Sequence, residues 1–415
     1  MKISTLSIGD ELIYGEVVDT NASRIAARLY DQGLKVQRHE LVGDDEPAII
    51  DALTHLAERS EVVVVTGGLG PTSDDLTAQA AATAAGQPLV LNEEALVRMQ
   101  AFVSKEGGEY MAVTRRQALL PADSVLIPNP TGTASGFIIT WNSCRLIFLP
   151  GVPSEMIRML DDTVLPFILG RVVRNRVVKT KVFTLFGISE AAMNHHLTDL
   201  SDPSNQGTSL ALAFCVSFPT IELKLRGEGE SDHAVVAILE SAAATVRERL
   251  GEYIVAEDGT SLDDEVARAL REKKITLSLA ESCTGGFIAK RITDLAGSSS
   301  YFLEGAVVYS NRAKSRLLGV PEEMIVKHGA VSREVAEAMA RGERISAGSD
   351  LALAVTGVAG PGASEEKPAG MVFIALADEK GCEVREYLFG GNRQQVRMLT
   401  TTTALDWIRR YLLER

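Results

Sequence analysis

Short β-branched runs alternate with helical patterns twice along this chain, once in the first 169 residues and again from residue 254 onward. Such alternation constrains the fold more than any other feature, because consecutive strand and helix patterns imply a mainly parallel sheet with helices on both faces. In the first block the pattern runs "ISTLSI", "TNASRIAARLYDQG", "VQRHELVG", "PAIIDALTHLAER", "VVVVTGG". In the third it runs "ITLSLAES", "GGFIAKRITDLAG", "GAVVYS", "NRAKSRLLG", "LALAVTGVAG", "GMVFIALA" and closes on an amphipathic helix from about Arg393. Between them, residues 170–253 read as strand, helix, two strands and a long helix, a small α+β unit. The expected fold class is therefore α/β: two α/β sandwich domains, 1–169 and 254–415, joined by a small α+β domain at 170–253.

A chain of 415 residues is long enough for each block to bury its own core. No apolar run approaches the roughly 20 residues of a membrane span, and "MKISTLSIGDEL" lacks the apolar core of a secretory signal. A cytoplasmic, membrane-free protein is expected. The four cysteines, Cys144, Cys215, Cys283 and Cys382, are far apart with no CxxC spacing, so neither a zinc site nor a disulfide frame is indicated. A net charge of -13 argues against a nucleic-acid partner. The basic stretch "RVVRNRVVKTK" (171–181) reads as a solvated strand and linker, and the adjacent His195 and His196 point to different sides of a helix, which disfavours a metal pair.

Ligands of open α/β sheets bind at the carboxyl ends of the strands. In the first block those ends carry "SIGDEL", "TGGLGPTSDDLT", "PNPTGTASG" and "LPGVPSEM". Gly67, Gly68 and Gly70 let backbone approach a ligand closely, and Thr72 and Ser73 offer hydroxyls near a helix start. Asp74 and Asp75 add hard oxygen donors suited to a Mg²⁺-type ion that bridges to phosphate. The competing reading is that Ser73, Asp74 and Asp75 cap the following helix. No "GxxxxGK[ST]" sequence is present in this block, which disfavours an ordinary NTPase loop.

In the third block "AESCTGG" sets Ser282 beside Cys283. Strand alternation puts Ser282 with Ser278 and Ala280, and Cys283 with the larger Leu277 and Leu279. A serine nucleophile needs a base. His328, in "VKHGAVS", is a poor one, since nothing in sequence marks it as oriented by an acid. Lys314, one helical turn after Tyr309 and Ser310 in "VVYSNRAKSRLLG", would serve if burial or nearby positive charge such as Arg312 lowered its pKa. Otherwise Lys314 is a surface residue of an amphipathic helix. The amides of Thr284, Gly285 and Gly286 are candidates to hold an oxyanion, and Arg393, after "GGN" at a helix start, is placed to grip phosphate.

Taken in order, "GDEL", "TGGLGPTSDDLT" and "LPGVPSEM" resemble the amino-terminal domain of the CinA family, itself similar to molybdopterin-binding domains. "AESCTGG", "GSSSYF", "VVYSNRAK", "GAVS", "AVTGVAGPG" and "EEKPAG" resemble the carboxy-terminal CinA domain, the PncC-type nicotinamide mononucleotide (NMN) amidohydrolases. For the first domain the resemblance implies metal-dependent hydrolysis of ADP-ribose to AMP and ribose 5-phosphate, with a divalent cation (Mg²⁺ or similar) handled by Asp10, Asp74, Asp75 and Glu155. Pyrophosphate binding would then fall to Gly67, Gly68, Gly70 and Thr72. For the third domain it implies metal-free conversion of NMN to nicotinate mononucleotide and ammonia. Ser282 would be the nucleophile, Lys314 the base and Tyr309 their support, with Ser299 and Thr356 lining the site and Arg393 on the substrate phosphate. A homodimer is expected. The alternatives left open are a molybdopterin-type binding module, a competence or DNA-repair accessory protein, and a chain with only one active domain.

Overall fold

Val62–Thr66 is an unbroken β-branched run with every residue buried, as a central parallel strand covered on both faces requires. The computed structural model describes residues 1–104, 115–171, 176–200, 208–363 and 367–414. Part of the basic stretch 171–181, and Glu365 and Glu366 of "EEKPAG", lie outside the described residues. The chain divides into two compact units, Met1–Lys179 with Glu228–Val235, and Thr180–Gly227 with Val236–Arg415.

In the first unit the elements are β1 (Ile3–Ile8), α1 (Thr20–Asp31), β2 (Val36–Val42), α2 (Glu46–Ala57), β3 (Val62–Thr66), α3 (Thr77–Ala85), β4 (Val125–Ile127), β5 (Gly136–Trp141), β6 (Cys144–Leu149) and α4 (Pro153–Met159). They form one sheet in the order β2-β1-β3-β6-β5-β4. The first four strands are parallel and the last two antiparallel. Ile25 and Leu29 of α1 pack with Met156 and Met159 of α4 in one core cluster. Ile49 and Leu53 of α2 pack with Ala80 and Ala81 of α3 in the other. Ser7, Thr66 and Leu149 pair side by side, so the loops that follow β1, β3 and β6 emerge together at one end of the sheet.

Most of the second unit's first part is β7 (Val177–Phe186), α5 (Glu190–Leu197), β8 (Ser209–Ser217), β9 (Thr220–Gly229), α6 (Asp232–Leu250) and β10 (Ile254–Ala256), with strand order β8-β9-β7-β10; the start of β7, the end of β9 and the start of α6 fall in the first unit. It continues with α7 (Leu262–Lys273), β11 (Leu277–Glu281), α8 (Phe287–Thr293), β12 (Phe302–Val307), α9 (Asn311–Leu318), α10 (Arg333–Ala347), β13 (Leu351–Gly357), β14 (Met371–Ala377), β15 (Cys382–Leu388) and α11 (Arg393–Leu413). Its larger sheet has the order β12-β11-β13-β14-β15, parallel over the first three strands and antiparallel over the last two. Helices α7, α8 and α11 pack against the side that carries Leu277 and Leu279, and α9 and α10 against the side that carries Ala280.

The closing helix departs from the amphipathic expectation. Thr400, Thr401, Thr402, Asp406 and Arg409 of α11 are buried along with Val396, Leu405 and Ile408. A helix buried on most of its circumference must satisfy its inward charges. It does so by pairing, with Asp406 Oδ1 accepting from Arg409 Nε and Nη2 at 2.9 and 2.8 Å. Among the described residues no helix is long and apolar enough to cross a membrane.

Candidate functional sites

Strand β11 ends at Glu281, and the turn that follows is tied down from three directions. Ser282 N donates to Val355 O of β13 at 3.1 Å. The buried Glu281 carboxylate accepts from the amides of Gly286, Ile288 and Ala289 at 3.0, 3.1 and 2.8 Å, which starts α8 without a conventional side-chain cap. Arg397 Nη2 of α11 donates to Thr284 O at 2.6 Å. Gly285 and Gly286 have φ of 61° and 89°, the left-handed region where a side chain would be strained.

Lys314 reaches this turn from α9. Ser310 caps that helix by accepting from Ala313 N, and Lys314 turns inward with only 2% of its surface exposed. Its Nζ contacts Ser282 Oγ at 3.1 Å and Val308 O at 3.0 Å. The surface-lysine reading is therefore set aside. Cys283 goes the other way, into the core cluster with Leu277 and Leu279. Burial pushes its thiol up to about 12.

Tyr309 and Arg393 meet near the dyad. The exposed Tyr309 hydroxyl accepts from Arg393 Nη2 at 2.9 Å, while Arg393 Nη1 donates to Gly360 O at 2.7 Å. The geometry departs from the expectations for the glycine amides and for Ser299. The Gly285 amide donates to Ser282 O at 3.0 Å and the Gly286 amide to Glu281, so neither is available to an oxyanion. Thr356 stays beside the nucleophile turn, directly after Val355 whose carbonyl accepts from Ser282 N, and its hydroxyl donates to Ala330 O at 2.8 Å. Ser299 precedes β12, whose first residue Phe302 pairs with Leu277, at the far end of β11 from Ser282. At about 3.3 Å per residue that places it roughly 15 Å or more along the sheet from the dyad. His328 does have an acid beside it, Glu334 at 3.3 Å.

In the first unit, the loops at the carboxyl ends of β1, β3 and β6 line a cleft of about 480 Å³ that includes Gly67, Gly68, Gly70, Asp74, Asp75 and Glu155. A Cβ on Gly67 would stand 2.1 Å from Ile8 O, and one on Gly68 2.1 Å from Thr77 Oγ1, so both glycines are required by close packing. Asp75 accepts from Gly70 N at 2.7 Å and from Thr72 N and Oγ1 at 2.8 and 2.5 Å. It closes its own loop instead of capping α3, which has no side-chain cap. This geometry corrects the cradle expected from sequence: the amides of Gly70 and Thr72 are spent on Asp75, and that of Gly67 on Leu149 O.

Of the four carboxylates expected to handle metal, Asp74, Asp75 and Glu155 line the cleft and Asp10 does not. Asp10 is cross-braced with Asp44, each accepting from the other's amide, at 2.9 and 3.1 Å. Glu155 accepts from Asn129 Nδ2 at 2.7 Å. Among the described residues no three histidine, cysteine or acidic side chains converge closely enough to form a metal cage. Burial, opposed by the Asp10 amide and reinforced by the charges of Asp10, Glu11 and Asp74, raises the carboxyl of Asp44. Uncompensated negative charge of this kind fits an ion that keeps most of its ligands as water and substrate phosphate, as Mg²⁺ commonly does.

Several groups at these sites were not singled out from sequence. Glu281, the Val308 carbonyl and the buried, unpartnered Thr284 hydroxyl surround the dyad. Asp44 and the unpartnered carbonyl oxygens of Asn21 and Gln117 belong to the cleft of the first unit. "AESCTGG" carried a partial signal for Glu281. Nothing local marks the others.

These two sheets define the class: a molybdopterin-binding-like α/β domain followed by further α/β domains, the last of which holds a buried serine–lysine pair. Residues 4–170 match the family described as "Probable molybdopterin binding domain", 180–256 the "Damage-inducible protein CinA KH domain" and 259–412 the "CinA C-terminal domain". A CinA-like protein of Geotalea uraniireducens is 55% identical over 414 residues, covering 100% of this chain and 98% of its own length. One from Geobacter sulfurreducens is 56% identical over 414 residues, covering 100% of both chains. The chain belongs to the CinA family. Among solved structures, a CinA superfamily protein of Klebsiella pneumoniae is 33% identical and covers 37% of this chain and 97% of its own, with a TM-score of 0.37. The MoaB molybdopterin biosynthesis enzyme of Thermus thermophilus is 22% identical and covers 40% of this chain and 91% of its own, with a TM-score of 0.30.

Proposed function

We propose that the chain is a bifunctional hydrolase of pyridine-nucleotide recycling. Its second unit deamidates NMN to nicotinate mononucleotide and ammonia, and its first hydrolyses ADP-ribose to AMP and ribose 5-phosphate. The observation that carries the deamidase reading is the 3.1 Å contact between two buried groups, Lys314 Nζ and Ser282 Oγ. A hydroxyl is a weak nucleophile until a base takes its proton, and burial of an amine favours the uncharged form that can act as that base.

In this reading Lys314 Nζ takes the proton from Ser282 Oγ as the oxygen attacks the carboxamide carbon. The Thr284 hydroxyl, two residues after the nucleophile, is buried with no other partner. Lys314 returns its proton to the leaving nitrogen, the C–N bond breaks and ammonia departs, leaving an acyl ester on Ser282. Lys314 then removes a proton from water as it attacks the ester, and returns that proton to Ser282 Oγ as the acyl C–O bond breaks and nicotinate mononucleotide leaves. Arg393, joined to Tyr309, is the cation for the substrate phosphate, the group bidentate guanidinium contacts suit.

For the first unit, Asp44 and Asp74 would hold a divalent ion, whose role is to neutralise pyrophosphate charge. The free oxygens of Asn21 and Gln117 would accept from ribose hydroxyls. A pterin-binding role without turnover is the second reading for this unit, favoured by the finding that no carboxylate cage forms among the described residues. Incubating the full-length protein separately with NMN and ADP-ribose, and identifying products by mass spectrometry, tests both. Release of ammonia and nicotinate mononucleotide supports the first activity, and unchanged NMN overturns it. AMP and ribose 5-phosphate support the second, while tight pterin binding with intact ADP-ribose replaces it.

A further inference from the structure

The second unit also carries an apolar recess whose lining includes neither residue of the dyad. That recess is a cleft of about 770 Å³ between the β8–β9 hairpin and the loop after β7 on one side, and β15 and α11 on the other. Its size falls within the range of about 300–1,000 Å³ typical of small-molecule sites.

Three features define what would fit. First, the walls are flat and aromatic. Tyr387 and Phe389 stack with ring centroids 5.3 Å apart and 7° between planes, and Phe186 and Phe218 face the same space. Second, the walls are incompletely covered. Phe186, Tyr387 and Phe389 pack against the core yet stay partly exposed, and Val216 and Phe218 at the hairpin tip are 57% and 43% exposed. Apolar area left open in a concave site rewards a ligand that covers it, at roughly 25 cal/mol per Å².

Third, the floor carries a cation that shares its carboxylate partner with another cation. The charged groups lining the cleft are Glu190, Arg385, Asp406 and Arg410. Arg385 lies over the Trp407 ring and is offset by Glu383 at 2.7 Å. Asp406 is shared by two guanidinium groups, Arg409 on Oδ1 and Arg410 on Oδ2 at 2.6 Å. One carboxylate therefore balances two cations, and Arg410 is the half-buried one that reaches the cleft; its Nε is on Asp406 and its Nη2 on Glu252 O at 2.7 Å, which leaves Nη1 for a ligand. Glu190 sits at the rim in solvent, where its charge is screened.

We propose that this cleft is a second ligand site, distinct from the Ser282–Lys314 dyad, that takes a planar aromatic monoanion. The ring lies against Tyr387 and Phe389 and the anionic group meets Arg410. The site is independent of whether the dyad turns over NMN.

The test uses the full-length protein with two dyes of similar shape, 8-anilinonaphthalene-1-sulfonate and its uncharged relative N-phenyl-1-naphthylamine. The sulfonate should bind saturably at one site per chain, at least about tenfold tighter than the neutral dye, a difference of about 1.4 kcal/mol. Phe218→Asp, at an exposed lip position, should abolish that binding, with the melting temperature as the check that the variant folds. Arg410→Gln should bring the sulfonate down to the affinity of the neutral dye. Equal affinity of the wild type for both dyes overturns the proposal, as does sulfonate binding unchanged by Phe218→Asp. Loss of dye sites with rising protein concentration, together with a doubled mass in solution, also overturns it, because a second copy would then be the occupant.

Discussion

Cys283 lies among Leu277 and Leu279, and burial pushes its thiol up to about 12, so at neutral pH it presents almost no thiolate. Ser282, one residue earlier, has a buried amine at 3.1 Å. Two contrasts follow for NMN turnover measured by ammonia release. Ser282→Ala should reduce it to background, whereas Cys283→Ala and treatment with iodoacetamide at pH 7.5 should leave most of it. Loss of activity in Cys283→Ala at unchanged melting temperature would move the nucleophile to sulfur. Lys314→Met should cost about 10²–10⁴-fold in kcat, the usual range for a general base. Lys314→Arg should not restore it, because a guanidinium stays protonated. The sequence placed Ser282 and Cys283 on opposite faces, and the structure agrees because strand alternation persists through Glu281 into the turn. That Lys314 is buried was not legible, since a lysine on a helix of five polar and three apolar residues looks the same whether it faces water or a neighbouring strand.

At the scale of elements, two buried glutamates set expectations that activity measurements alone would miss. Glu281 holds three backbone amides at the start of α8. Hydrogen bonds to a charged group contribute about 1.5–3 kcal/mol each when broken one at a time. Glu281→Ala should therefore lower the urea midpoint strongly and misplace the nucleophile turn, with Glu281→Gln recovering part of both. Glu343 on α10 is fully buried, and neither carboxylate oxygen has a partner of normal hydrogen-bond geometry. Burial, then the charge of Glu304, pushes its carboxyl up from 4.5 to about 7. Because the native state holds this proton more tightly than the unfolded chain, its contribution is full below pH about 4.5 and is lost as pH rises to about 7. Glu343→Gln should flatten that dependence, shrinking the fall in unfolding free energy between pH 5 and pH 8 by about 2–3 kcal/mol. A wild-type stability that is flat over this window would show the carboxyl is not carrying a proton. Strand and helix runs were readable from their periods because their patterns are local. Positions fixed by topology were not: Ser299 was placed at the dyad although β12 runs parallel to β11 and carries it to the opposite end. Buried Thr400–Thr402 and Asp406 hid the true environment of α11 for the same reason.

For the whole molecule, the question is whether the two proposed chemistries share machinery. The cleft of the first unit and the dyad of the second are built entirely from residues of their own units. They also differ in kind: acidic side chains around a recess of about 480 Å³ in one, and in the other a buried serine–lysine pair, the proposed nucleophile and base. A chelator should therefore separate them. In EDTA, loss of ADP-ribose should stop and return with added Mg²⁺, while NMN deamidation continues at its initial rate. Asp74→Asn should reproduce the EDTA phenotype and Ser282→Ala its mirror image, each leaving the other reaction intact. Asp75→Asn should behave differently, because Asp75 ties Gly70 and Thr72 into the loop: ADP-ribose turnover should fall together with thermal stability, and excess Mg²⁺ should restore neither. If Asp75→Asn is instead rescued by high Mg²⁺ at an unchanged melting temperature, Asp75 is a metal ligand and its present hydrogen bonds describe only the loop without substrate.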